Sequence, residues 1–432
     1  MVKQVEVFYE GWGERWHWGT LVEMPAATGN RPQIGFQYSA EALQRGFELS
    51  AYKLPLHIGQ RLHTGFPLHQ MELPGPVYDA LPDGWGMLLM DRLFKRRNLN
   101  PARIGPLERL TFIGNNAMGA LTFVPAATEG LPTEEDISIG QLAADVEVVA
   151  LGEGSELLER LMRAGGSPQG ARPKAQVYRD PASDTFSTVP SPGAEAWLVK
   201  FPANREHPEV CAVEFAYAEC LRRCDIPTPD TRHFLLPGGK AAFASRRFDR
   251  RGGMRIPMHS LAAYVEADYR TPGSLDYTGF LRATAHITRD NREKAGAFAR
   301  AVFNVAFNNR DDHPKNFSYT MSRDGQWALS PAYDVTFCEG PGSYHQMDVM
   351  GQALDITRAD LLRLANAETD LDAAAASRII DRTCQVALQF SAIATELLPS
   401  HIAPDTLSWI QARINANVQR LTAPPSPTRG RG

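Results

Sequence analysis

The hydrophobic pattern of this chain changes its period near residue 255, and this change limits the possible folds more than any other feature. Before it, short runs such as VEVFYEGW alternate apolar and polar residues as strands do, and helical segments lie between them. After it, long segments such as EKAGAFARAVFNVAFNN have the periodicity of amphipathic helices. The pattern therefore predicts a mixed α/β part followed by an α-helical part.

The composition narrows the class of protein without naming a function. The 432 residues are enough for about two to three domains, and 43% hydrophobic with 22% charged residues is ordinary for a soluble globular protein. A net charge of −4 excludes a global basic field that would hold the chain on nucleic acid or an anionic membrane. No apolar run approaches the ~18 residues of a membrane span, and the N-terminus is typical of a strand rather than a signal peptide, so we expect a cytoplasmic protein.

Five cysteines are too few for a disulfide scaffold in a chain of this length. Cys211, Cys220 and Cys224 fall within one predicted helix and lack the C-x-x-C spacing of a zinc or redox site. They are predicted to be buried thiols.

Four segments are predicted. In residues 1–127 a hairpin of VEVFYEGW and RWHWGTLVEM, a further strand pair at IGFQY and FELS, and a helix in DGWGMLLMDRLF precede the strand LTFVP. Residues 135–252 alternate helix and strand, and residues 255–422 are helical. Residues 423–432 are rich in Pro and Gly and are predicted to be disordered.

A dense polar cluster, NNRDDHPKNFSY, follows the apolar helix that ends in FNVAFNN. Pro314 cannot continue a helix, so a loop is expected between that helix and the strand NFSYTM. Asp311 and Asn316 are five positions apart, which is also the spacing of the proton-accepting Asp and the metal-binding Asn in the protein-kinase catalytic loop. The cluster predicts a loop that catalyses phosphoryl transfer.

A second carboxylate, Asp334, follows Asn316 by 18 positions in the motif SPAYDV. A metal-binding Asp comes after the catalytic loop in kinases. Mg²⁺ prefers hard oxygen donors and keeps several waters, so an amide oxygen, a carboxylate and the phosphates of ATP suit it. Asn316 and Asp334 are therefore predicted magnesium ligands.

Upstream, GGSPQGARPKAQV is a glycine-rich turn that precedes a strand, and its backbone N–H groups could approach phosphate oxygens. Lys200 then lies inside the apolar strand AWLVKFP, where an unpaired ammonium is costly. Glu214 on the following helix is its predicted partner, as in the kinase lysine–glutamate pair. A lysine that extends from a strand edge into solvent is the alternative, and the order of the motifs favours the kinase interpretation.

Together these motifs resemble the HipA family, the kinase half of bacterial toxin–antitoxin pairs. The motifs that carry the resemblance are LSAYKLPL, ALPDGWGMLLMDRL, FIGNNAMGAL, SPQGARPKA, LVKFP, SRRFDRR, RDDHPKN and SPAYDV. The resemblance implies an α+β fold similar to protein and phosphatidylinositol kinases. Residues 1–127 would be a β-rich accessory subdomain, 135–252 a mixed α/β N-lobe and 255–422 an all-α catalytic C-lobe.

The resemblance also implies individual roles. Asp311 would be the catalytic base, Lys200 would contact the ATP phosphates, and Asn316 and Asp334 would bind magnesium. The remaining residues of the nucleotide pocket would be the loop Gln169, Gly170, Ala171, Arg172, Pro173 and Lys174, the hinge Arg246, Arg247 and Phe248, and His313, Lys315 and Tyr333. Ser167 corresponds to the serine that relatives autophosphorylate to inactivate themselves, although Pro168 and Gln169 replace the small residues usual after it.

The function implied is that of a toxin serine/threonine kinase which transfers the γ-phosphate of ATP to a protein hydroxyl. Relatives phosphorylate aminoacyl-tRNA synthetases and so arrest translation and growth. They are neutralised by a small helix-turn-helix (HipB-like) antitoxin, through which any contact with DNA would be made. The alternatives are a small-molecule or lipid kinase, and an inactive kinase fold that acts as a binding partner or corepressor.

Asp312, His313 and the arginines of SRRFDRR have competing interpretations. Asp312 is a second ligand or, as we favour, a structural carboxylate. His313 is a general base or an orienting group, and we favour the latter. The arginines of SRRFDRR contact phosphate or nucleic acid, or they form ion pairs; both interpretations stay open.

Overall fold

Residues 4–24 form an antiparallel hairpin, as the alternation of apolar and polar residues predicts. In the computed structural model, β1 (Gln4–Tyr9) pairs with β2 (Trp16–Met24), and the turn between them contains Gly13 at a φ of +83°. Trp16 and Trp18 are buried on this hairpin. The structure describes residues 2–25, 32–58, 61–126, 137–154, 157–165, 170–203 and 206–423.

The hairpin is part of a four-stranded antiparallel sheet with the order β3-β2-β1-β4. The other elements of this N-terminal block are β3 (Gln33–Tyr38), α1 (Ala40–Arg45), α2 (Gly75–Tyr78), α3 (Gly84–Arg96), α4 (Pro106–Ile113) and β4 (Leu121–Val124).

The predicted strand FELS is wrong. Leu49 and Ser50 are both buried, whereas successive strand residues point to opposite faces. The chain turns here instead, because the Ser50 carbonyl accepts a hydrogen bond from the N–H of Leu54 (2.9 Å). His63 takes the place beside β3, where its backbone exchanges two hydrogen bonds with Phe36 (2.8 and 2.9 Å).

The middle of the chain forms a five-stranded antiparallel sheet with the order β6-β5-β7-β9-β8. Its elements and their neighbours are α5 (Ile139–Ala150), α6 (Leu158–Gly165), β5 (Lys174–Asp180), β6 (Thr185–Ser187), β7 (Glu195–Lys200), α7 (Val210–Arg223), β8 (Thr231–Leu236), β9 (Lys240–Arg246), β10 (Arg250–Arg251) and β11 (Met254–Arg255).

The last part is mainly helical, as its periodicity predicts. Its elements are β12 (Met258–Ser260), α8 (Leu261–Val265), α9 (Tyr277–Thr288), α10 (Glu293–Ala306), β13 (Ser318–Met321), β14 (Trp327–Leu329), α11 (Arg358–Glu368), α12 (Ala373–Leu388), α13 (Phe390–Leu397) and α14 (Pro404–Thr422).

The chain divides into two compact units, and each consists of several segments. Unit 1 contains both sheets described above and comprises Met1–Cys211, Asp230–Glu266 and Ser318–Gln326. Unit 2 contains the long C-terminal helices and comprises Ala212–Pro229, Ala267–Phe317 and Trp327–Gly432. The four segments predicted from the sequence remain a prediction, and the predicted disorder of the tail concerns residues that, beyond 423, lie outside the described part.

The buried-thiol prediction is confirmed, since Cys211, Cys220 and Cys224 are all buried and none of them forms a disulfide. Burial raises the pKa of Cys224 to about 12. A search of the described helices finds none that is long and apolar enough to cross a bilayer.

A buried ion cluster joins the N-terminal block to the five-stranded sheet within unit 1. The Asp249 carboxylate accepts two hydrogen bonds from Arg247 (2.7 and 2.9 Å), one from Arg250 (2.8 Å) and one from the backbone N–H of Gly119 (2.9 Å). Arg250 also donates to the carbonyl oxygens of Ala117 and Gly119. Burial alone raises the pKa of Asp249, but the charges of the two arginines outweigh it, and this pKa lies well below its usual range.

We expect Asp249→Ala to lower the free energy of unfolding by about 3–5 kcal/mol at neutral pH, because it leaves two buried guanidinium groups without their anion. The pKa of Asp249 is lowered by folding, so its contribution is present above the ordinary value of about 4 and is lost as the pH falls towards the folded-state value. Thermal unfolding from pH 7 to pH 3 measures this, and the difference from wild type should shrink in acid.

Asp230→Ala is the matched control, because Asp230 is exposed and pairs with Arg246 at the surface (3.4 Å). Its melting temperature should stay close to that of wild type. Equal melting temperatures for the two variants would contradict the structural role of the cluster.

Candidate active site

The predicted catalytic loop follows α10 in unit 2 and is held at both ends. Before the loop, the backbones of Asn308 and Arg310 are hydrogen-bonded to Cys338 (3.1 and 3.3 Å). Within it, Pro314–Asn316 forms one turn of 3₁₀ helix, and β13 follows. The loop is thus a short connection between a buried helix and a strand, as the sequence predicts.

Asp311 is half-exposed, with 47% of its side chain accessible. Its Oδ1 accepts a hydrogen bond from Nε2 of Gln346 (2.9 Å), and Nε2 of His313 lies 3.7 Å from the same oxygen. The Asn316 side chain donates through Nδ2 to the backbone carbonyl of Asp311 (2.8 Å). The two residues of the Asp-x4-Asn motif are therefore in direct contact, and the carboxylate is oriented on a loop surface that a substrate could reach.

The neighbouring Asp312 is completely buried. Its carboxylate accepts hydrogen bonds from the hydroxyl of Tyr277, from Nδ1 of His345 and from the backbone N–H of Gln346, each at 2.8 Å. Asn304 donates in turn to the Tyr277 hydroxyl (3.0 Å). Burial and then the charge of Asp312 raise the pKa of Tyr277 well above its usual value, so the hydroxyl stays protonated and remains a donor. This environment agrees with the structural role favoured for Asp312.

Asp334 lies in a segment that is tied to the catalytic loop on both sides. Just before it, the Tyr333 hydroxyl donates to the carbonyl of Lys315 (2.8 Å). Just after it, Cys338 pairs with Asn308, whose side chain also donates to the Cys338 carbonyl (3.1 Å). Asp334 itself has a left-handed backbone with a φ of +57°, which is uncommon for a residue other than glycine and is concentrated at functional sites.

The other predicted loop residues pack around an aromatic ring that the sequence reasoning missed. The ring centre of Tyr269 lies 5.3 Å from that of His313, and Nζ of Lys315 lies 4.6 Å above the Tyr269 ring. Lys315 is buried, so a cation–π contact of this kind helps to stabilise its charge. His313 and Lys315 as pocket residues remain a prediction.

The predicted phosphate-binding lysine lies at the end of β7 in unit 1, almost fully buried. Lys174 at the start of β5 is directly opposite Lys200 in the antiparallel register, and it is buried as well. Opposed side chains in such a pair lie on the same face about 5 Å apart, where like charges are unfavourable unless an anion is near. Glu214, the predicted partner of Lys200, is a buried residue of α7.

The described part of the glycine-rich loop begins at Gly170, whose φ is +102°. Arg172 forms an ion pair with Glu206 (3.0 Å), and Pro173 accepts a hydrogen bond from Phe201 (2.9 Å). Ala171 lies between Gly170 and Arg172 in the sequence. Ser167 and Gln169 lie outside the described residues.

The predicted hinge arginines are engaged in ion pairs within unit 1. Arg246 contacts Glu195 (3.1 Å) and Asp230 (3.4 Å), and Arg247 is buried in the cluster around Asp249. Phe248, which lies between Arg247 and Asp249 in the sequence, is half-buried. Of the two interpretations of SRRFDRR left open, ion pairing describes Arg246, Arg247 and Arg250. The contact of Arg246, Arg247 and Phe248 with the adenine remains a prediction.

Two supporting residues, His345 and Gln346, had no signal in the sequence. They lie 33 and 34 positions beyond Asp312, in a segment without regular structure. Only folding brings the Gln346 side chain to Asp311 and the His345 ring to Asp312. Among the described residues, no group of three or more His, Cys, Asp or Glu side chains is arranged to hold a metal ion.

Two family models match this chain. The HipA N-terminal domain model matches residues 12–124, and the HipA-like C-terminal domain model matches residues 166–390, which is more than half of the chain. The chain belongs to the HipA family. The two matches together cover the N-terminal block, the glycine-rich loop and the catalytic loop of this HipA-family chain.

A HipA of Shewanella oneidensis MR-1, solved with HipB and operator DNA, is similar with a TM-score of 0.68. The identity is 17%, and the match covers 96% of this chain and 97% of that chain. The predicted α+β, kinase-like fold is confirmed. A second relative is the protein Y4dM of Sinorhizobium fredii (strain NBRC 101917 / NGR234), which is named as a candidate kinase. It is 24% identical over 295 residues, which are 63% of this chain. The match spans 64% of the length of that relative, less than two thirds.

Asp311 and Asp312 are adjacent carboxylates with opposite environments, so their alanine variants should differ in stability. Asp312→Ala removes the acceptor of three buried donors and should cost about 3 kcal/mol or more, seen as a lower melting temperature. Asp311→Ala removes a half-exposed side chain that accepts a hydrogen bond from Gln346, and it should leave the melting temperature nearly unchanged. A greater loss for Asp311→Ala would contradict the network described here.

Proposed function

We propose that this chain is an ATP-dependent serine/threonine protein kinase of the toxin–antitoxin type. The observation that carries the proposal is the arrangement in unit 2. There, a half-exposed Asp311 is oriented by Gln346 and Asn316, and the segment of Asp334 is hydrogen-bonded to the same loop. Phosphoryl transfer depends mainly on such positioning and on charge neutralisation.

In the proposed reaction Asp311 accepts the proton of the substrate hydroxyl as that oxygen attacks the γ-phosphorus of ATP, and ADP leaves as the bond from this phosphorus to the β–γ bridging oxygen breaks. The hydrogen bond from Gln346 orients the carboxylate, which limits the rotation that would move the proton-accepting oxygen. General-base assistance of this kind contributes about 10²–10⁴-fold to the rate. Membership of the HipA family supports the assignment by giving the loop a counterpart in relatives.

Asn316 and Asp334 would hold Mg²⁺. Because Nδ2 of Asn316 donates to the Asp311 carbonyl, the amide oxygen is the atom that can accept a cation, and a carboxylate is the second hard donor. A bound magnesium ion neutralises charge on the phosphates. With only these two protein ligands, the remaining positions would belong to phosphate oxygens and water.

The phosphates would bind on the face of the sheet that carries Lys174 and Lys200. Two buried ammonium groups opposite each other favour a polyanionic ligand on that face. Glu214 is proposed to pair with Lys200, and His313, Lys315 and Tyr333 to line the pocket beside the base. The hinge of Arg246, Arg247 and Phe248 is proposed near the adenine.

The partners are proposed from the family and from the similar structure. The Shewanella HipA was solved with HipB and operator DNA, so a small helix-turn-helix antitoxin is the proposed partner here, and DNA is reached through it. A cytoplasmic protein substrate, of the class of aminoacyl-tRNA synthetases, would be phosphorylated, which would inhibit translation and growth. Autophosphorylation of Ser167 is proposed as its own off-switch.

Incubation of the purified protein and Mg²⁺ with γ-labelled ATP and a lysate tests the activity and its substrate class. Label in protein bands at serine or threonine supports the proposal. Label only in small molecules or lipids would assign a different kinase activity. The absence of transfer, together with no thermal stabilisation by millimolar ATP and Mg²⁺, would favour an inactive fold that serves as a binding partner.

Asp311→Ala should reduce phosphoryl transfer by about 100-fold or more while stabilisation by ATP and Mg²⁺ persists, because the base is lost and the phosphate contacts are kept. Initial rates with labelled ATP and a thermal-shift assay measure the two effects. Asp324→Ala is the matched control, since Asp324 is an exposed carboxylate of unit 1 with a contact to Ser322. Transfer at the wild-type rate by Asp311→Ala would refute the assignment.

Gln346→Leu should lower kcat about tenfold with little change in the KM for ATP, because it removes the donor that orients Asp311. The acid limb of the kcat–pH profile should move to higher pH, since a carboxylate that loses a hydrogen-bond donor is protonated more easily. Gln346→Glu, which places a like charge beside Asp311, should move that limb further. An unchanged kcat and pH profile in both variants would exclude a positioning role for Gln346.

A further inference from the structure

The start of α3, in the N-terminal block, lies directly against the glycine-rich loop of unit 1. Asp83 is the N-cap residue of α3, yet its carboxylate makes no hydrogen bond to its own helix. Instead it accepts one from the backbone N–H of Gly170. In return, the N–H of Trp85 in the first turn of α3 donates to the carbonyl of Gly170 (3.1 Å).

These two hydrogen bonds give partners to the Asp83 carboxylate and to the N–H of Trp85. The first N–H groups of a helix have no partner inside it, and here one of them is used to hold a loop. Asp83 is more than nine-tenths buried, and a buried carboxylate requires donors. Both backbone polar groups of Gly170 are thus bound at the start of α3, the N–H by Asp83 and the carbonyl by Trp85.

Gly84 permits the close approach. Its φ is +40°, and a Cβ at this position would lie 2.6 Å from the carbonyl oxygen of Gly170 and 2.6 Å from Cα of Ala171. Both contacts are with backbone, so no side-chain rotation could relieve them. Any larger residue at position 84 would push residues 170 and 171 away from α3.

The same helix also supports the chain before the loop. Helix α3 packs against α6, which ends at Gly165. Arg97, just beyond the end of α3, lies 3.8 Å from Glu159 at the start of α6. The N-terminal block therefore contacts the described chain on both sides of residues 166–169.

We propose that Asp83 and Gly84 are positioning residues that hold the glycine-rich loop for nucleotide binding, so that the N-terminal block sets the affinity of the kinase for ATP. The inference rests on the proposed kinase function. Gly170 is close in sequence to the proposed phosphate site, because only three residues separate it from Lys174, which lies opposite Lys200 in the sheet. A shift at Gly170 would move the backbone donors and the cation that face the phosphates.

Three variants test the proposal in the full-length protein: Asp83→Ala, Asp83→Asn and Gly84→Ala. Asp83→Ala and Gly84→Ala should raise the KM for ATP by about tenfold and leave kcat at saturating ATP within about twofold of wild type. Asp83→Asn keeps an oxygen that accepts the Gly170 N–H and should restore most of the affinity. Asp372→Ala, which removes the N-cap carboxylate of α12 (Ala375 N–H at 2.6 Å), should lower stability without changing this KM.

Hydrogen–deuterium exchange of a peptide that covers residues 170–174 reads the contact without relying on activity. Protection of the Gly170 amide in wild type, lost in Asp83→Ala and regained in Asp83→Asn, supports the contact on which the inference rests, even if no phosphate transfer is found and the proposed function fails. An unprotected Gly170 amide in the wild-type protein would overturn the inference, and this measurement does not depend on a variant that folds. An active kinase whose KM for ATP is unchanged in both Asp83→Ala and Gly84→Ala would overturn it as well.

Discussion

The buried carboxylate of Asp312 is the interaction on which the rest of the candidate site depends. A fully buried anion is costly unless donors surround it, and here they come from α9 (Tyr277) and from the distant pair His345 and Gln346. Once Gln346 is bound through its backbone, its side chain lies where it can donate to Asp311. A structural charge thereby places the residue that orients the adjacent, half-exposed carboxylate.

The two consecutive aspartates of the loop, Asp311 and Asp312, have different environments and different proposed roles. Asp312 is fully buried and stabilises the loop, so a substrate cannot reach it, whereas the side chain of Asp311 is half-exposed. Hydrogen bonds from Tyr333 to Lys315 and from Asn308 to Cys338 hold the Asp334 segment against the same loop. One buried network therefore supports the residues proposed as the proton acceptor and as the two oxygen ligands of a cation.

In unit 1 the buried charges include positive ones, on arginines and lysines. In the Asp249 cluster, Arg247 and Arg250 form ion pairs with the Asp249 carboxylate, and their side chains are largely buried. The paired lysines at positions 174 and 200 are instead placed on one face of the sheet with the same sign of charge. The arginines of the cluster therefore stabilise the fold, whereas Lys174 and Lys200 are the cations proposed to face the phosphates.

The sequence by itself determined the features that depend on local periodicity and spacing. Alternation specified the hairpin of β1 and β2, helical spacing specified α9, α10, α12 and α14, and the five-residue interval marked Asp311 and Asn316. It failed at FELS, where burial of two consecutive residues and a turn at Ser50 override strand propensity. Only the tertiary structure decided that Arg247 belongs to an ion cluster, that Gln346 reaches Asp311 and that Asp83 binds Gly170. These contacts join positions separated by many residues or depend on which groups are buried, and neither property is encoded in any local pattern.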